Sequence, residues 1–448
     1  MKHLWGSVSP SAGLALFSLY ALGLLAEGSG LPRFLDEVFE VNVVIYGIFV
    51  LTYILIASRR LSLFPIGRPA GALLGAVLLV LVGALRPEET YRAIDHDTIL
   101  LLFATMGITA SLERAGFFEW LTQIIMSWCR TPMNLLMATA LLSGTLSAIM
   151  VNDTVCLFLT PIILSACIKT KLPIGPYLIA LATSANIGSA ATLVGNPQNM
   201  IIGSYSGFPF ARFMLYAGPS AGIGLLINML LLRLYYRRRL PDRMPDMRFE
   251  PSRFDARQLI TTILVTVGVV IGFFLGAHMG YTALTGLMVL ILANRKEPRE
   301  IFSRIDWSLL LFFSCLFIVV TGLAKTGIIE RSWRASVPYL GYAEASGLFL
   351  FTALMTVGSN LISNVPMVLM TGPHLGILGS PEQGWVLLAF TTTVAGNLTL
   401  LGSVANIIVA ESARDHYTLG FFEYLRFGIV STTLVLAVGV VMIYFIMI

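Results

Sequence analysis

Asn152-Asp153-Thr154 lies between Ser147-Ala148-Ile149-Met150-Val151 and Val155-Cys156-Leu157-Phe158-Leu159, so a carboxylate is embedded in an apolar run. Of the 24 acidic residues, Asp153 alone sits well inside such a stretch. A charge at the bilayer centre costs about 2.5–3.5 kcal/mol on insertion scales and marks an ion path or proton relay. Asp153 is therefore a candidate carrier of a coupling proton or cation; the plainer alternative is a protonated side chain bonded within a hairpin tip. Neutral polar residues recur at four places: Asn152 and Thr154; Asn186, Thr192, Asn196, Gln198 and Asn199; Ser363 and Asn364; and Asn397, Thr399, Ser403 and Asn406. Amides and hydroxyls both donate and accept, which suits a hydroxylated solute or a partly dehydrated cation. Na+ at Asn152 and Asn364 is the metal candidate. Scattered Ser and Thr read as helix glue worth about 1 kcal/mol or less each, whereas the asparagine clusters read as a binding site.

These residues stand where apolar helices are interrupted. Asn152-Asp153-Thr154 precedes Asn186 to Asn199, and Ser363-Asn364-Val365-Pro366 precedes Gly396 to Asn406, about two hundred residues further on. Gly188, Gly195, Gly396 and Gly402 permit unusual backbone angles. Pro197 and Pro366 lack an N–H and free a carbonyl. Irregular backbone survives in lipid only where it is buried or lines a cavity. Paired interruptions in two corresponding halves point to the substrate site of a secondary transporter.

Composition sets the frame for this reading. Apolar residues make up 56% of the chain and charged residues 12%, against roughly 25% charged in soluble domains. The fold class expected is an all-α polytopic membrane protein with eleven spans and two re-entrant hairpins. The spans are Pro10–Ala26, Val41–Ala57, Ala70–Leu85, Thr98–Ala110, Tyr177–Gly203, Phe213–Leu232, Leu259–Leu275, Ala277–Ala293, Trp307–Ala324, Gly384–Ala410 and Phe421–Ile448; the hairpins are Asn134–Ile168 and Gly347–Leu378. The divisions are an extra N-terminal helix in 1–40, a first repeat over 41–234, a linker over 235–258 and a second repeat over 259–448. With the N-terminus inside, nineteen Lys and Arg fall in inner loops and seven in outer ones, the expected cytoplasmic excess. That orientation makes the Arg-rich Tyr235–Gln258 linker cytoplasmic and the C-terminus external. The net charge of +5 is then a loop property, and no nucleic-acid partner is implied. No cleavable signal is evident, because Pro10–Ala26 runs into Glu27, Asp36 and Glu37.

The two halves also match outside the interruptions. Ile94-Asp95, Gly116 and Glu119 recur as Ile305-Asp306, Gly327 and Glu330 at an offset of 211. Asn152 and Pro161 recur as Asn364 and Pro373 at 212; Thr192, Leu193, Gly195, Asn199 and Ile201 recur as Thr399, Leu400, Gly402, Asn406 and Ile408 at 207. Five spans per half make the repeats inverted, which places one site near mid-membrane. Between Thr131 and Pro209 the only Lys or Arg residues are Lys169 and Lys171, and between Ala335 and Ala413 there are none. A polyanion would need bound cations or helix dipoles; a neutral hydroxide or small ion needs less.

The run Ala185-Asn186-Ile187-Gly188-Ser189-Ala190-Ala191-Thr192, continued by Gly195-Asn196-Pro197-Gln198-Asn199, resembles the ion transporter superfamily. Asn152-Asp153 with Leu159-Thr160-Pro161, and Ser363-Asn364-Val365-Pro366, carry the same resemblance. That group includes arsenite permeases, sodium/proton antiporters, the melanosomal P protein, silicic acid efflux transporters and divalent-anion/sodium symporters, and the arsenite and silicic acid branch is most similar. The dicarboxylate symporters carry Ser-Asn-Thr at each hairpin tip, whereas this chain has Val151-Asn152-Asp153 and Ser363-Asn364-Val365. The resemblance implies a scaffold with a homodimer interface and a hairpin-bearing transport module that moves like an elevator, with Asn152, Asp153, Asn186, Asn364 and Asn397 binding solute or ion. It implies proton-coupled efflux of a small hydroxylated metalloid or inorganic anion through a bacterial inner membrane, with no cofactor and with H+ or Na+ as coupling ion. The alternatives are a sodium/proton antiporter, a sodium-coupled anion symporter, and a passive channel. An enzyme is not expected, because the five histidines are scattered and the four cysteines lack CxxC spacing.

Overall fold

The computed structural model describes residues 41–58, 67–243, 255–294, 297–342 and 344–447. The expected Pro10–Ala26 span and the centre of the linker lie outside them. Among the described residues there are twenty α-helices and no strand. The first ten are α1 (Val41–Ser58), α2 (Arg68–Leu81), α3 (Pro87–Ala93), α4 (His96–Arg114), α5 (Phe117–Trp128), α6 (Pro132–Ile149), α7 (Asn152–Thr170), α8 (Ile174–Ser189), α9 (Pro197–Ser206) and α10 (Phe210–Tyr236). The second ten are α11 (Ala256–Phe274), α12 (Met279–Asn294), α13 (Arg299–Phe302), α14 (Trp307–Lys325), α15 (Ile328–Leu340), α16 (Ala345–Ile362), α17 (Asn364–Thr371), α18 (Pro381–Ala395), α19 (Val404–Ala413) and α20 (Phe421–Met447). Helix for helix, the second series follows the order of the first.

Seven described helices are long and apolar enough to cross a membrane, or eight if the bent pair α3–α4 is one span. Both arms of the first hairpin, α6 and α7, are among them, as is α16. Two expected spans are not continuous. Tyr177–Gly203 is divided into α8 and α9, and Gly384–Ala410 into α18 and α19, because the Gly- and Asn-rich segments between them leave the helical ladder. The second hairpin's returning arm is also shorter than its counterpart. α17 ends at Thr371 and continues as a 3-10 helix over Gly372–Ile377, whereas Pro161, the counterpart of Pro373, lies inside the continuous α7. Four helices were not anticipated: α3, α5, α13 and α15. Their sequences are too short or too polar to span, so hydropathy passes over them.

Local chemistry explains why the series repeat. Asp95 caps α4 by accepting from the Thr98 N–H at 2.7 Å, and Asp306 caps α14 by accepting from Leu309 at 3.0 Å. An aspartate at this position satisfies a backbone donor that the helix leaves open. Gly116 and Gly327, with φ of 79° and 70°, follow these helices in the left-handed region that glycine enters without penalty.

The described residues fall into two compact units, one drawn from 41–94 with 311–331 and one from 95–310 with 332–447. In the first, Lys325 at the end of α14 pairs with Glu89 of α3 at 2.7 Å. In the second, Arg114 at the end of α4 pairs with Glu300 of α13. Both partners shift by 211, so one ion pair recurs in each unit. Each pair joins a helix of one half to a short helix of the other. The Lys325 ammonium, donating to Glu89, holds that carboxyl below its ordinary range, with help from the Arg86 backbone N–H. In the second unit α8 is buried from Gly175 to Ser189 and α18 from Val386 to Ala395. Helices that are apolar all round belong in an interior, and these two carry the interrupted segments.

Candidate functional site

Each interrupted helix must satisfy the carbonyls that its broken ladder exposes, and an asparagine does so in both halves. Asn199 donates through Nδ2 to the carbonyls of Ser189 at 3.2 Å and Thr192 at 2.9 Å. Asn406 donates to the carbonyls of Gly396 at 2.8 Å and Thr399 at 3.1 Å. All four positions correspond at the offset of 207. Asn196 adds an N-cap for α9, accepting from the Asn199 N–H at 2.8 Å. At its place in the second half, Ser403 makes no such cap.

The two interruptions meet through Asn186, which is buried at 1% exposure. Its Nδ2 donates to Asn397 Oδ1 at 2.8 Å and Asn406 Oδ1 at 2.9 Å. Its Oδ1 accepts from Asn152 Nδ2 at 2.9 Å and Ser403 Oγ at 3.0 Å. The offset of 207 therefore equates Asn186 with Thr393, not with Asn397. Thr393 Oγ1 accepts from Asn196 and Gln198, each at 3.2 Å, and donates to Asn199 Oδ1 at 3.5 Å. Each half thus supplies one helix residue that receives the other half's capping side chains.

The hairpin tips close on this junction. At the first tip the Asn152 N–H donates to the Gly195 carbonyl at 2.8 Å, and Asn152 Oδ1 accepts from the Asp153 N–H at 2.9 Å. A Cβ on Gly195 would meet the Ser147 carbonyl oxygen at 2.8 Å, so only glycine permits this approach of backbone to backbone. Thr192 Oγ1 donates to the Ala148 carbonyl at 2.7 Å. At the second tip Ser363 adopts a φ of 79°, and Asn364 Nδ2 lies 3.4 Å from where a Cβ on Gly396 would sit. Thr399 donates to Asn360 Oδ1 at 3.0 Å, and Asn360 Nδ2 reaches the carbonyls of Thr356 and Ala395, both at 2.9 Å.

The structure gathers Asn152, Asn186, Asn397, Ser403 and Asn406 into one network, with Thr192, Gly195, Asn196 and Asn199 supporting the first interruption and Thr399 the second. Asp153 is buried in the first turn of α7 beside Asn152. Thr154 is half-buried and takes no part. Three residues were missed: Thr393, Asn360 and Ser189, whose hydroxyl accepts from Asn196 Nδ2 at 3.0 Å. The offset of 207 applied to Asn186 gives Thr393 directly. Asn360 was legible at 212 only as the partner of an alanine, which draws no notice. Three buried oxygens at the junction have no hydrogen-bond partner: Ser147 Oγ, its counterpart Ser359 Oγ, and Asn364 Oδ1. Buried polar atoms are almost always paired, and these three are exceptions to that rule.

A citrate transporter family model matches residues 53–395. The silicon efflux transporter LSI3 of Oryza sativa is 32% identical over 89% of this chain and 96% of its own length. ArsB of Dictyostelium discoideum is 32% identical over 90% and 93%. In structure the chain is similar to the YdaH transporter of Alcanivorax borkumensis, with a TM-score of 0.57 and 13% identity over 83% of this chain and 88% of that one. That likeness concerns the fold alone. The chain is an integral membrane protein of the citrate transporter family within the ion transporter superfamily, a secondary transporter and not an enzyme.

Proposed function

We propose that the chain exports a small hydroxylated metalloid or inorganic anion, of the arsenite or silicic acid type, in exchange for protons. The observation that carries this reading is the asparagine junction, in which amides and hydroxyls of the first hairpin tip and both interruptions converge beside the buried Asp153, with Asn364 Oδ1 of the second tip left without a partner. Such groups complement a solute rich in hydroxyls. No Lys or Arg occurs between Ala335 and Ala413 to hold a fixed anionic charge. The rice relative, whose name gives silicon efflux as its activity, points the same way. In this reading the two series of helices are inverted repeats, and the hairpin-bearing module alternates between the membrane faces by an elevator-like movement within a homodimer.

A sodium-coupled reading has an observation of its own. Ser147 Oγ, Ser359 Oγ and Asn364 Oδ1 are orphaned at equivalent ends of the two hairpins, and neutral oxygens suit hard cations. Na+ would then sit near Asn152 and Asn364. Purified protein in proteoliposomes, loaded with arsenite or silicic acid and given an imposed proton or sodium gradient, separates these readings. Solute release driven by the proton gradient alone supports the first; dependence on sodium supports the second. Solute flux indifferent to both gradients would sink both and favour a passive channel.

A further inference from the structure

Behind the junction lies a second polar cluster, buried and joined to the junction through one backbone carbonyl. Asn228 of α10 donates through Nδ2 to Thr183 Oγ1 at 3.1 Å and Ser184 Oγ at 2.9 Å, and its Oδ1 accepts from Ser431 Oγ of α20 at 2.7 Å. Every hydrogen-bonding atom of this side chain is used, and Asn228, Ser184 and Ser431 are each 0% exposed. Thr183 turns the cluster toward the site: its hydroxyl faces Asn228, and its carbonyl accepts from Asn397 Nδ2 at 2.9 Å. Asn397 in turn accepts from Asn186. One unbroken chain of contacts therefore runs from α10 and α20, through α8, to Asn152 at the hairpin tip.

The second half shows what happens when the amide is lost. At an offset of 211, which matches α10 to α20 end to end, the counterpart of Asn228 is Gly439; at 207 the counterpart of Thr183 is Phe390, whose ring lies against Gly439. Ser220, which corresponds to Ser431, is 0% exposed and its hydroxyl has no partner. The serine remains in both copies, but only the first retains the amide that receives it. At the corresponding place α18 meets α20 through an apolar contact instead of a polar one.

We propose that Asn228 is a positioning residue for the transport site, fixing through Thr183 the Asn397–Asn186 pair on which Asn152 rests. This rests on the proposed function only for its transport readout. Amide hydrogen exchange on the purified full chain needs no solute and decides the matter separately. Asn228→Leu is expected to speed exchange across 183–199 and also across 397–406, which Asn228 does not touch. In proteoliposomes with arsenite or silicic acid, KM is expected to rise about tenfold, the loss of roughly one well-made hydrogen bond to the solute, with maximal rate less affected. Ser431→Ala, which leaves both Asn228 donors in place, should move the same quantities by a smaller factor, and it serves if Asn228→Leu does not fold. Ser184→Ala spares Thr183 and should leave 397–406 unchanged. If exchange in 397–406 matches the parent in folded Asn228→Leu or, where that fails to fold, in Ser431→Ala, the cluster is helix glue and the proposal is overturned. A parent protein that moves neither solute would count against the proposed function while leaving the exchange result decisive here.

Discussion

The two interruptions are built alike where the backbone demands it and differ where chemistry is free to vary. Asn199 and Asn406 bridge the same two carbonyls in each half, because a helix broken inside an apolar interior must have its carbonyls met from within the protein. Around that shared cap the halves diverge. The first has Asp153 where the second has Val365, Ala148 where the second has Asn360, and Asn228 where the second has Gly439. The first tip is sealed to its interruption by a backbone hydrogen bond from Asn152 to Gly195, while the second tip leaves Asn364 Oδ1 open. One half carries an acidic side chain and is tied down; the other has valine in its place and an amide oxygen without a partner. Repetition of the fold thus does not mean that the two half-sites do the same work.

The largest test of that comparison is the shared cap. Asn199→Leu and Asn406→Leu each strip two buried carbonyls of their donor, at a cost of about 1–3 kcal/mol for each group left unsatisfied. Both variants are expected to unfold at markedly lower temperature in detergent, and by similar amounts. A silent Asn406→Leu beside a collapsed Asn199→Leu would show that the caps are equal in geometry only. The next effect concerns charge. Asp153→Asn keeps the shape and removes the titration, so the protein is expected to fold and yet lose proton-driven accumulation. Asn364→Ala in the neutral half is expected instead to weaken solute uptake while preserving its pH profile. An unchanged pH profile and wild-type accumulation in Asp153→Asn would make the carboxylate structural, and the functional division between the halves would fall with it.

Much of this was legible from the chain because membrane insertion leaves few ways to write it. The interruptions announced themselves as Asn, Gly and Pro in apolar surroundings, and Ile94-Asp95 with Ile305-Asp306 showed the repeat, which the structure explains as a helix cap in each half. The register of α8 against α18 was harder. Asn186 and Asn397 stand in similar surroundings and invite pairing, yet the structure pairs Asn186 with Thr393 by role and makes Asn397 its hydrogen-bond partner. Residue type misleads there because a hydroxyl and an amide can both receive the same capping donors. The helices α5 and α15 escaped notice for a different reason: hydropathy finds what crosses a bilayer, not what lies beside it. The cluster around Asn228 was invisible because one asparagine in a long apolar helix reads as incidental until its three partners are in place.

The smallest expected effect distinguishes the repeated ion pairs. Lys325–Glu89 in one unit and Arg114–Glu300 in the other occupy corresponding positions, yet only the first lies beside a backbone donor, the Arg86 N–H at 2.8 Å from Glu89. Glu89 titrates below its ordinary range in the folded protein. Its stabilising contribution is therefore fully present above the unfolded glutamate pKa of about 4.3 and is lost as pH falls through the lower folded value. Lys325→Met should accordingly lower the unfolding temperature slightly at pH 7, and the difference from the parent should shrink as the medium is acidified below about pH 4. Salt should shrink it too, since exposed pairs are screened. A deficit in Lys325→Met that persists undiminished through acid would mean that the lysine acts by packing its stem and its 3.4 Å contact with the Ala84 carbonyl. The two pairs would then be alike in sequence position but unlike in physics, which is the relation already seen between the two interruptions.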